Sequence, residues 1–146
     1  MKHLKKVLLV LIITLSFSSL FAQETGITGD WFNDSKEGKV EIYEAKDGKY
    51  YGKLVWIKEP LENGKPKLDK KNKDESLRSK PLIGLLLLKG FTKDGDIYTG
   101  GTIYDPQSGK TYACKITPKD ANTLSIRGYI GVSLIGRTTV WTRTTK

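Results

Sequence analysis

The stretch that decides the fold is Gly29-Asp30-Trp31, read together with Trp141-Thr142-Arg143 near the other end of the chain. A Trp on the first strand and an Arg on the last strand are what a closed β-barrel needs if its two terminal strands meet and seal one end. The two stretches are therefore informative about architecture. They are less informative about activity, because they contain no group of residues that performs a recognisable reaction.

Between these stretches, short runs rich in Val, Ile, Tyr, Thr and Trp alternate with turn residues, without convincing helical periodicity. The pattern predicts eight strands, over 28–33, 39–45, 49–57, 83–91, 97–104, 110–117, 123–130 and 136–144. Asp47-Gly48 and Asp94-Gly95 supply the positive φ of tight hairpin turns, and Pro106 fixes the start of a third turn. We therefore expect an all-β fold: a single antiparallel, up-and-down barrel of eight or slightly more strands.

Residues 1–22 have the layout of a secretory signal peptide. Lys2, Lys5 and Lys6 precede the apolar run 7–15, and small and polar residues then lead to Ala22, after which we expect cleavage. A membrane anchor is the alternative, but a spanning helix needs roughly 20 apolar residues. The predicted organisation is a signal peptide over 1–22 and a β-barrel domain over 23–146, periplasmic or secreted, with no integral membrane association after cleavage.

The chain carries 25 Lys and Arg against 16 Asp and Glu, a formal charge of +9. Residues 1–22 hold three Lys and no acid, so the mature chain keeps 22 basic and 16 acidic residues and a charge of +6. The lysines are spread over turns and edges, which indicates a solvated surface, and no nucleic-acid-binding motif accompanies them. We therefore expect no nucleic-acid partner.

The only histidine, His3, lies in the predicted leader, and Cys114 is the only cysteine. The mature chain thus lacks the residues for His-dependent triads, for a Cys-His dyad and for zinc sites built from His and Cys. Cys114 alternates with Tyr112 and Ile116, which favours burial over pairing with a second chain. No spacing selects a pair of carboxylates for acid–base work, so we predict no catalytic residues, cofactor or metal and favour a non-enzymatic role.

Two segments break the alternation of apolar and polar residues. The predicted strand 83–91 contains Leu85-Leu86-Leu87-Leu88, so its outer side needs cover from the long loop, a membrane surface or a second subunit in a homodimer. The segment 59–81 is long for a loop in a compact domain, and such loops are commonly lids or binding segments. Its Asp69, Asn72 and Asp74 superficially resemble the start of a calcium loop, but the spacing and the missing downstream Glu argue against one. We expect Asn72 and Asp74 to cap the short turn that contains residues 76–78.

Polar residues flanked by aromatics and glycines form the predicted ligand site. The segments 100–106 and 127–131 place four of them on strands or at strand ends: Tyr104, Asp105, Arg127 and Tyr129. In a structural interpretation, Arg127 pairs with Asp105 or another carboxylate at the barrel rim. In a functional interpretation, the Arg and two phenols hold the acid or hydroxyl head of a ligand, and Trp56 and inward aliphatic residues contact its tail. Arg78 is a further candidate ligand-binding residue.

From about Gly29 to Arg143 the chain resembles a bacterial family of exported proteins known as domain of unknown function 2147. After Asn72 that family often shows Pro-Asp-Pro, where this chain has Lys73-Asp74-Glu75. The resemblance implies a lipocalin-like, or calycin-like, barrel and supplies no agreed activity or catalytic residues. It is carried by these stretches: Gly29-Asp30-Trp31, Val40-Glu41-Ile42-Tyr43, Tyr51-Gly52-Lys53, Asp69 with Asn72, Leu82-Ile83-Gly84, 101–106 with 109–112, 127–131, and Gly136-Arg137 through Trp141-Thr142-Arg143.

In lipocalin-like barrels the Trp of a Gly-x-Trp motif packs as a plug under a basic side chain from the last strand. The resemblance implies this role for Gly29 and Trp31, with Arg143 or Arg137 over the ring at about 0.5–2 kcal/mol of cation–π stabilisation. Any functional site then lies at the opposite rim and the long loop.

Two functions remain open. In the first, the barrel binds a small amphipathic or apolar ligand in the bacterial envelope. In the second, the barrel is filled by its own side chains and serves as an envelope interaction or stress module that contacts a protein partner or dimerises.

Overall fold

The computed structural model describes residues 26–144, and these are mostly strands joined by turns. The short 3₁₀ helix Glu75–Leu77 is their one helical element, and within this range no helix has the length and apolar character to span a membrane. The predicted signal peptide lies outside the described residues. The strands are β1 (Gly29–Phe32), β2 (Gly38–Glu44), β3 (Tyr50–Ile57), β4 (Leu61–Glu62), β5 (Lys65–Pro66), β6 (Leu86–Asp94), β7 (Ile97–Asp105), β8 (Lys110–Asp120), β9 (Thr123–Tyr129) and β10 (Gly136–Arg143).

Eight strands close into an antiparallel barrel in the order β1-β10-β9-β8-β7-β6-β3-β2. The barrel closes where β1 pairs with β10, which puts Trp31 opposite Arg143. The other neighbours in the barrel follow the chain, since β3 and β6 are separated only by the long loop that contains β4 and β5. The predicted all-β, up-and-down, eight-stranded barrel is therefore confirmed.

Because successive strands run in opposite directions, their connections fall at two ends of the barrel. The plugged end holds residues 26–28, the end of β10 and the turns 45–49, 95–96 and 121–122. The loop end holds the turns 33–37 and 106–109, the long loop 58–85 and the loop 130–135. The two longest connections, 58–85 and 130–135, thus both lie at the loop end.

Alternate strand residues fill the barrel, as strand geometry requires. Four inward positions that alternation predicts are at most 2% exposed: Val40, Ile42, Leu124 and Ile126. Ile130 continues the same alternation from Leu124 and Ile126, yet it is 69% exposed, because β9 ends at Tyr129 and Ile130 belongs to the following loop. Cys114 is buried, and burial raises the pKa of its thiol to about 12. It is therefore a small core residue with a neutral thiol at ordinary pH.

The strand predicted over 83–91 is observed over Leu86–Asp94, because residues 82–85 form a turn in which Leu85 N donates to Leu82 O. The register of β3 and β6 shifts between Gly52↔Leu88 and Lys53↔Leu86, which leaves Leu87 as an extra bulge residue. Leu87 and Leu88 are consequently both buried, at 9% and 0% exposure. Only Leu86 then shares the outer face with Lys53. The apolar outer face that suggested a homodimer through Leu85–Leu88 is not formed.

The long loop contains a hairpin that is not among the eight predicted strands. β4 and β5 pair through Leu61↔Pro66 and Glu62↔Lys65. The turn between them is Asn63-Gly64, with φ of 52° and 75°. Asn-Gly is a strong signal for a two-residue hairpin turn, so the sequence did carry the information.

Candidate functional site

The seal at the plugged end is built around Arg143. Its guanidinium carbon lies 4.2 Å from the ring centroid of Trp31, and Trp31 is fully buried with its indole N–H donating to Ile27 O at 2.8 Å. The three guanidinium nitrogens also donate to three backbone carbonyls: Gly26 (3.0 Å), Thr28 (2.7 Å) and Ala121 (2.8 Å). One side chain thus joins the first described residues, the β8–β9 turn and the core.

Gly29 leaves room for this arginine. Its φ is 122°, a conformation that favours glycine, and a Cβ there would lie 2.6 Å from Arg143 Nη1. The expectation that Arg137 contributes to the seal is wrong, because Arg137 pairs with Gly128 toward the other end of β10. The seal therefore consists of Gly29, Trp31 and Arg143.

An open groove of about 480 Å³ lies beside the seal. Apart from Arg143, its charged side chains are acidic, and the guanidinium of Arg143 is already occupied by backbone carbonyls. The groove therefore offers no free cation to an anionic ligand. Within residues 26–144, no three or more His, Cys, Asp and Glu side chains cluster in a way that could hold a metal ion. The groove is lined by Thr28, Gly29, Asp30, Glu41, Ile42, Tyr43, Glu44, Arg143 and Thr144.

At the loop end, Asp69 anchors the long loop to the β7–β8 hairpin. Asp69 is fully buried, with Oδ1 accepting from the Tyr104 phenol at 2.7 Å and Oδ2 from Asn72 Nδ2 at 2.7 Å. Gly109 has a φ of 70°, and a Cβ there would overlap the carbonyl oxygen of Lys71. We call Asp69, Asn72, Tyr104 and Gly109 the loop latch.

The latch affects the titration of Tyr104. Burial, followed by the hydrogen bond to Asp69, raises the pKa of its phenol to about 12. The phenol therefore stays protonated at ordinary pH and continues to donate to the carboxylate. Tyr104, expected at a ligand, has a structural partner instead.

Asp105 and Arg78 also shape connections at the loop end. The carboxylate of Asp105 accepts hydrogen bonds from Gln107 N at 2.9 Å and Ser108 Oγ at 2.6 Å within its own turn. Arg78 donates to Asn72 O at 2.7 Å and to the Glu75 carboxylate at 3.2 Å. Asp74 caps the 3₁₀ helix by accepting from Ser76 N, as the sequence predicted for this turn. Neither Asp105 nor Arg78 presents an unpaired group.

Arg127 is paired with Lys115 and Thr138 on the neighbouring strands, and all three side chains lie on the outer face of the barrel. Its Nε donates to Ser133 O at 2.5 Å and its Nη1 to Thr138 Oγ1 at 2.8 Å. Among residues 26–144 it has no carboxylate partner, so the expected pairing with Asp105 or another acid is wrong. Arg127 instead fixes the loop 130–135, and Tyr129 lies half-buried on the same face.

Trp56 lies on the outer surface of the barrel, 37% exposed. Its ring packs edge-on against Phe32, with centroids 6.1 Å apart, and Lys39 Nζ lies 5.3 Å from its centroid. Strict alternation along β3 would turn Trp56 inward, but Val55 is an extra residue in the register with β2. The expectation that Trp56 contacts a ligand inside the barrel is therefore wrong, and Ile57 takes the inward place.

The inner face near the loop end is only partly covered. Ile103 and Tyr112 are paired across β7 and β8 and are half-buried. A Cβ on Gly128 would lie 3.4 Å from Ile103 Cγ2 and 3.7 Å from Tyr112 Cβ, so Gly128 faces inward beside them. Paired residues of an antiparallel sheet project from the same face, which places Arg137, the partner of Gly128, on the inner face as well.

Arg137 is exposed, and within the described part of the chain no hydrogen bond or ion pair engages its guanidinium. Thr139 is on the same face, opposite the buried Ile126. The sequence held a signal for this arrangement, since counting back by twos from the buried Trp141 reaches Thr139 and Arg137. The candidate site is therefore an unpaired cation, Arg137, on the inner face near the loop end, where the half-buried side chains of Thr139, Tyr112, Ile103 and Ile57 also face inward.

Comparisons with known proteins agree with this architecture. The family model described as "Uncharacterized protein conserved in bacteria (DUF2147)" matches residues 29–143. Among solved structures, protein HP1028 from the human pathogen Helicobacter pylori, described as belonging to the lipocalin family, is similar with a TM-score of 0.71 and 24% identity, over 83% of this chain and 84% of that chain. At that identity the likeness shows the fold, and no curated protein matches the chain. The family match runs from the first residue of β1 to the last residue of β10, so the chain belongs to the DUF2147 family and has a lipocalin-like barrel.

Proposed function

We propose that this protein binds a small amphipathic molecule with an acidic head group at the loop end of its barrel. The observation that carries the proposal is Arg137, an exposed inner-face guanidinium that has no partner among residues 26–144. A guanidinium forms paired, charge-assisted hydrogen bonds with carboxylate or phosphate groups. The lipocalin-like barrel supports the proposal, because eight-stranded barrels hold either their own side chains or one small ligand.

The depth of the core limits the size of such a ligand. Trp31, Phe91 and Trp141 are at most 5% exposed and fill the barrel toward the seal. The half-buried Ile103 and Tyr112 are closer to the loop end and would contact an apolar tail. A ligand held by Arg137 would therefore occupy only the loop-end part of the barrel, which favours a short or bent tail.

Arg137→Ala is expected to weaken binding of the amphipathic anion anilinonaphthalene sulfonate about tenfold to a hundredfold, the loss that follows removal of a charge-assisted hydrogen-bond partner. Fluorescence titration measures the affinity. Lys46→Ala is the matched control, because Lys46 is an exposed cation in a turn at the plugged end. Uncharged phenylnaphthylamine should bind wild type and Arg137→Ala equally, since it has no head group for the guanidinium.

Equal affinity of wild type and Arg137→Ala for the sulfonate would remove Arg137 from the site. A stronger contradiction would be that neither probe binds and that native mass spectrometry of the protein from its own bacterium detects no bound small molecule. That pair of results would favour the self-filled barrel acting as an interaction module.

We further propose that the protein works in the bacterial envelope, on the strength of the basic, apolar and small-residue order of residues 1–22. The mature protein is then expected to begin at Gln23. Amino-terminal sequencing of protein recovered from the native cells measures this directly. Recovery of the uncleaved chain from the cytoplasm would contradict export.

A further inference from the structure

We infer that the loop 130–135 docks the loop end of the barrel onto an anionic lipid surface, an inference independent of the proposed ligand. The loop reads Ile130-Gly131-Val132-Ser133-Leu134-Ile135, with four large aliphatic residues in six positions. Their exposures are 69%, 58%, 89% and 68% in chain order. A cluster of exposed apolar side chains of this kind marks an interaction site. We call these four side chains the apolar tip.

The apolar tip is held in a defined shape. Ile130 N donates to Ile135 O at 3.2 Å, and Ile135 N donates to Val132 O at 3.0 Å. From the neighbouring strand, Arg127 donates to Ser133 O. The loop would have to break these bonds to fold its aliphatic side chains back onto the barrel, so their exposure belongs to the folded state.

Other exposed apolar residues lie at the same end. Three belong to the long loop: Leu61, Leu77 and Ile83, at 55%, 39% and 46% exposure. In the described chain, none of the large exposed hydrophobic residues lies in the plugged-end turns 45–49, 95–96 and 121–122. The barrel therefore has one apolar end and one polar end, as a protein that meets a surface end-on requires.

The charged residues at the loop end indicate that the surface it meets is anionic. From Thr123 to Val140, on either side of the apolar tip, the chain contains no Asp or Glu, and its charged residues are Arg127 and Arg137. At the same end of the barrel, the long-loop segment 58–80 carries eight Lys and Arg against five Asp and Glu, of which Asp69 is buried. Apolar side chains that enter the lipid boundary while cations meet anionic head groups are the two contributions that hold a protein at an anionic membrane surface.

The shape of the apolar tip favours lipid over a second copy of the chain. It connects two adjacent strands and presents only four aliphatic side chains. Each partner of a stable dimer buries roughly 800 Å², which needs a broader surface than this loop offers. A lipid surface needs no complementary shape and accepts a narrow projecting tip. Docking in this orientation would also turn the inner-face Arg137 toward the lipid.

Co-sedimentation with vesicles tests the inference. Wild type should bind vesicles of mixed phosphatidylglycerol and phosphatidylcholine, and bind pure phosphatidylcholine vesicles more weakly. Leu134→Glu should lower partitioning onto the mixed vesicles about tenfold or more, because it replaces the most exposed apolar side chain by an anion. Val140→Glu is the matched control, since Val140 is an exposed aliphatic residue, 47%, on strand β10. It should bind almost as wild type does.

Two results would overturn the inference: no binding of wild type to the mixed vesicles, or equal binding of wild type and Leu134→Glu. Light scattering tests whether a second copy of the chain covers the tip instead. If wild type is a dimer that Leu134→Glu dissociates, and wild type does not bind vesicles, the tip is a contact between two copies. Titration with anilinonaphthalene sulfonate separates this site from the proposed ligand site, because Leu134→Glu should retain wild-type affinity for that probe.

Discussion

Trp31→Ala is expected to lower the free energy of unfolding by about 3–5 kcal/mol, the usual loss when a buried aromatic side chain is truncated. Trp31 is fully buried, its N–H donates to Ile27 O, and its ring lies under Arg143. The substitution opens a cavity at the plugged end and removes the surface on which the guanidinium lies. Urea unfolding followed by circular dichroism measures the loss.

Trp56→Ala is the matched control, because it truncates the same side chain on the outer surface, where Trp56 is 37% exposed. Its cost should be well below that of Trp31→Ala. A double-mutant cycle with Arg143→Ala isolates the ring–guanidinium contact and should give a coupling of about 0.5–2 kcal/mol. Similar losses for the two Trp variants would mean that the seal does not hold the barrel closed.

The strand count and the seal could be predicted because they depend on local signals. Asp47-Gly48 and Asp94-Gly95 mark tight turns whatever the strands pair with, and such turns make sequence neighbours into sheet neighbours. Trp31 and Arg143 are on the first and last strands, which are the two that an up-and-down barrel must bring together. The fold follows from these features without knowledge of any side-chain contact.

Most of what could not be predicted is the face of the sheet on which particular residues lie. A bulge is set by the pairing of two strands rather than by the sequence of one, and each bulge reverses the face of the residues beyond it. The extra residue Val55 puts Trp56 outside, and the extra residue Leu87 buries two successive leucines. Hydrophobicity alone gives no sign of either bulge.

The candidate site also depends on which face of the barrel each residue occupies. Arg127 and Arg137 are on adjacent strands, and both are basic residues near a glycine. Counting by twos from the buried Trp141 places Arg137 on the inner face, and the pairing of Arg137 with the inward Gly128 agrees with this. Arg127, by contrast, follows the buried Ile126 and lies on the outer face. Asp69 and Tyr104 are 35 residues apart, and no local pattern indicates that they touch.

Asp69→Ala is expected to release the long loop from the barrel and to lower the free energy of unfolding by about 2–4 kcal/mol, because two hydrogen bonds to a buried carboxylate are lost and their half-buried donors, Tyr104 and Asn72, are left unpaired. The carboxylate is the acceptor for both Tyr104 and Asn72. Limited trypsin digestion reports the local change, since the flanking Lys70, Lys71 and Lys73 become cleavable once the loop leaves the barrel. Urea unfolding reports the global loss.

Asp74→Ala is the control within the same loop. It removes the cap of the 3₁₀ helix and leaves the latch intact, so it should lower the free energy of unfolding less than Asp69→Ala does. Gly109→Ala should reproduce the tryptic pattern of Asp69→Ala. Gly109 is in the β7–β8 hairpin, and its added methyl group would overlap the Lys71 carbonyl oxygen and push the long loop away. If trypsin cut Asp69→Ala and Asp74→Ala at the same rate, the buried carboxylate would not be what holds the loop.

The latch also predicts how stability changes at high pH. The pKa of Tyr104 is raised from 10.0 to about 12 by burial and by its bond to Asp69. A group whose pKa is raised by folding contributes stability that is fully present below its unfolded pKa and is lost as the pH rises through its folded pKa. The contribution of Tyr104 should therefore be complete below about pH 10 and disappear toward pH 12, because a tyrosinate cannot donate to the carboxylate.

Comparison with Tyr104→Phe identifies the source of this alkaline loss. Tyr50 and Tyr51, whose pKa values are also raised, remain in both proteins, so the difference between the two urea-unfolding series at increasing pH belongs to Tyr104. Tyr104→Phe should start less stable at neutral pH and lose less between pH 10 and pH 12. The two curves should converge, since at high pH neither protein can make the hydrogen bond. Parallel curves would show that the phenol–carboxylate bond contributes nothing that titrates, and the latch would then depend on its other contacts.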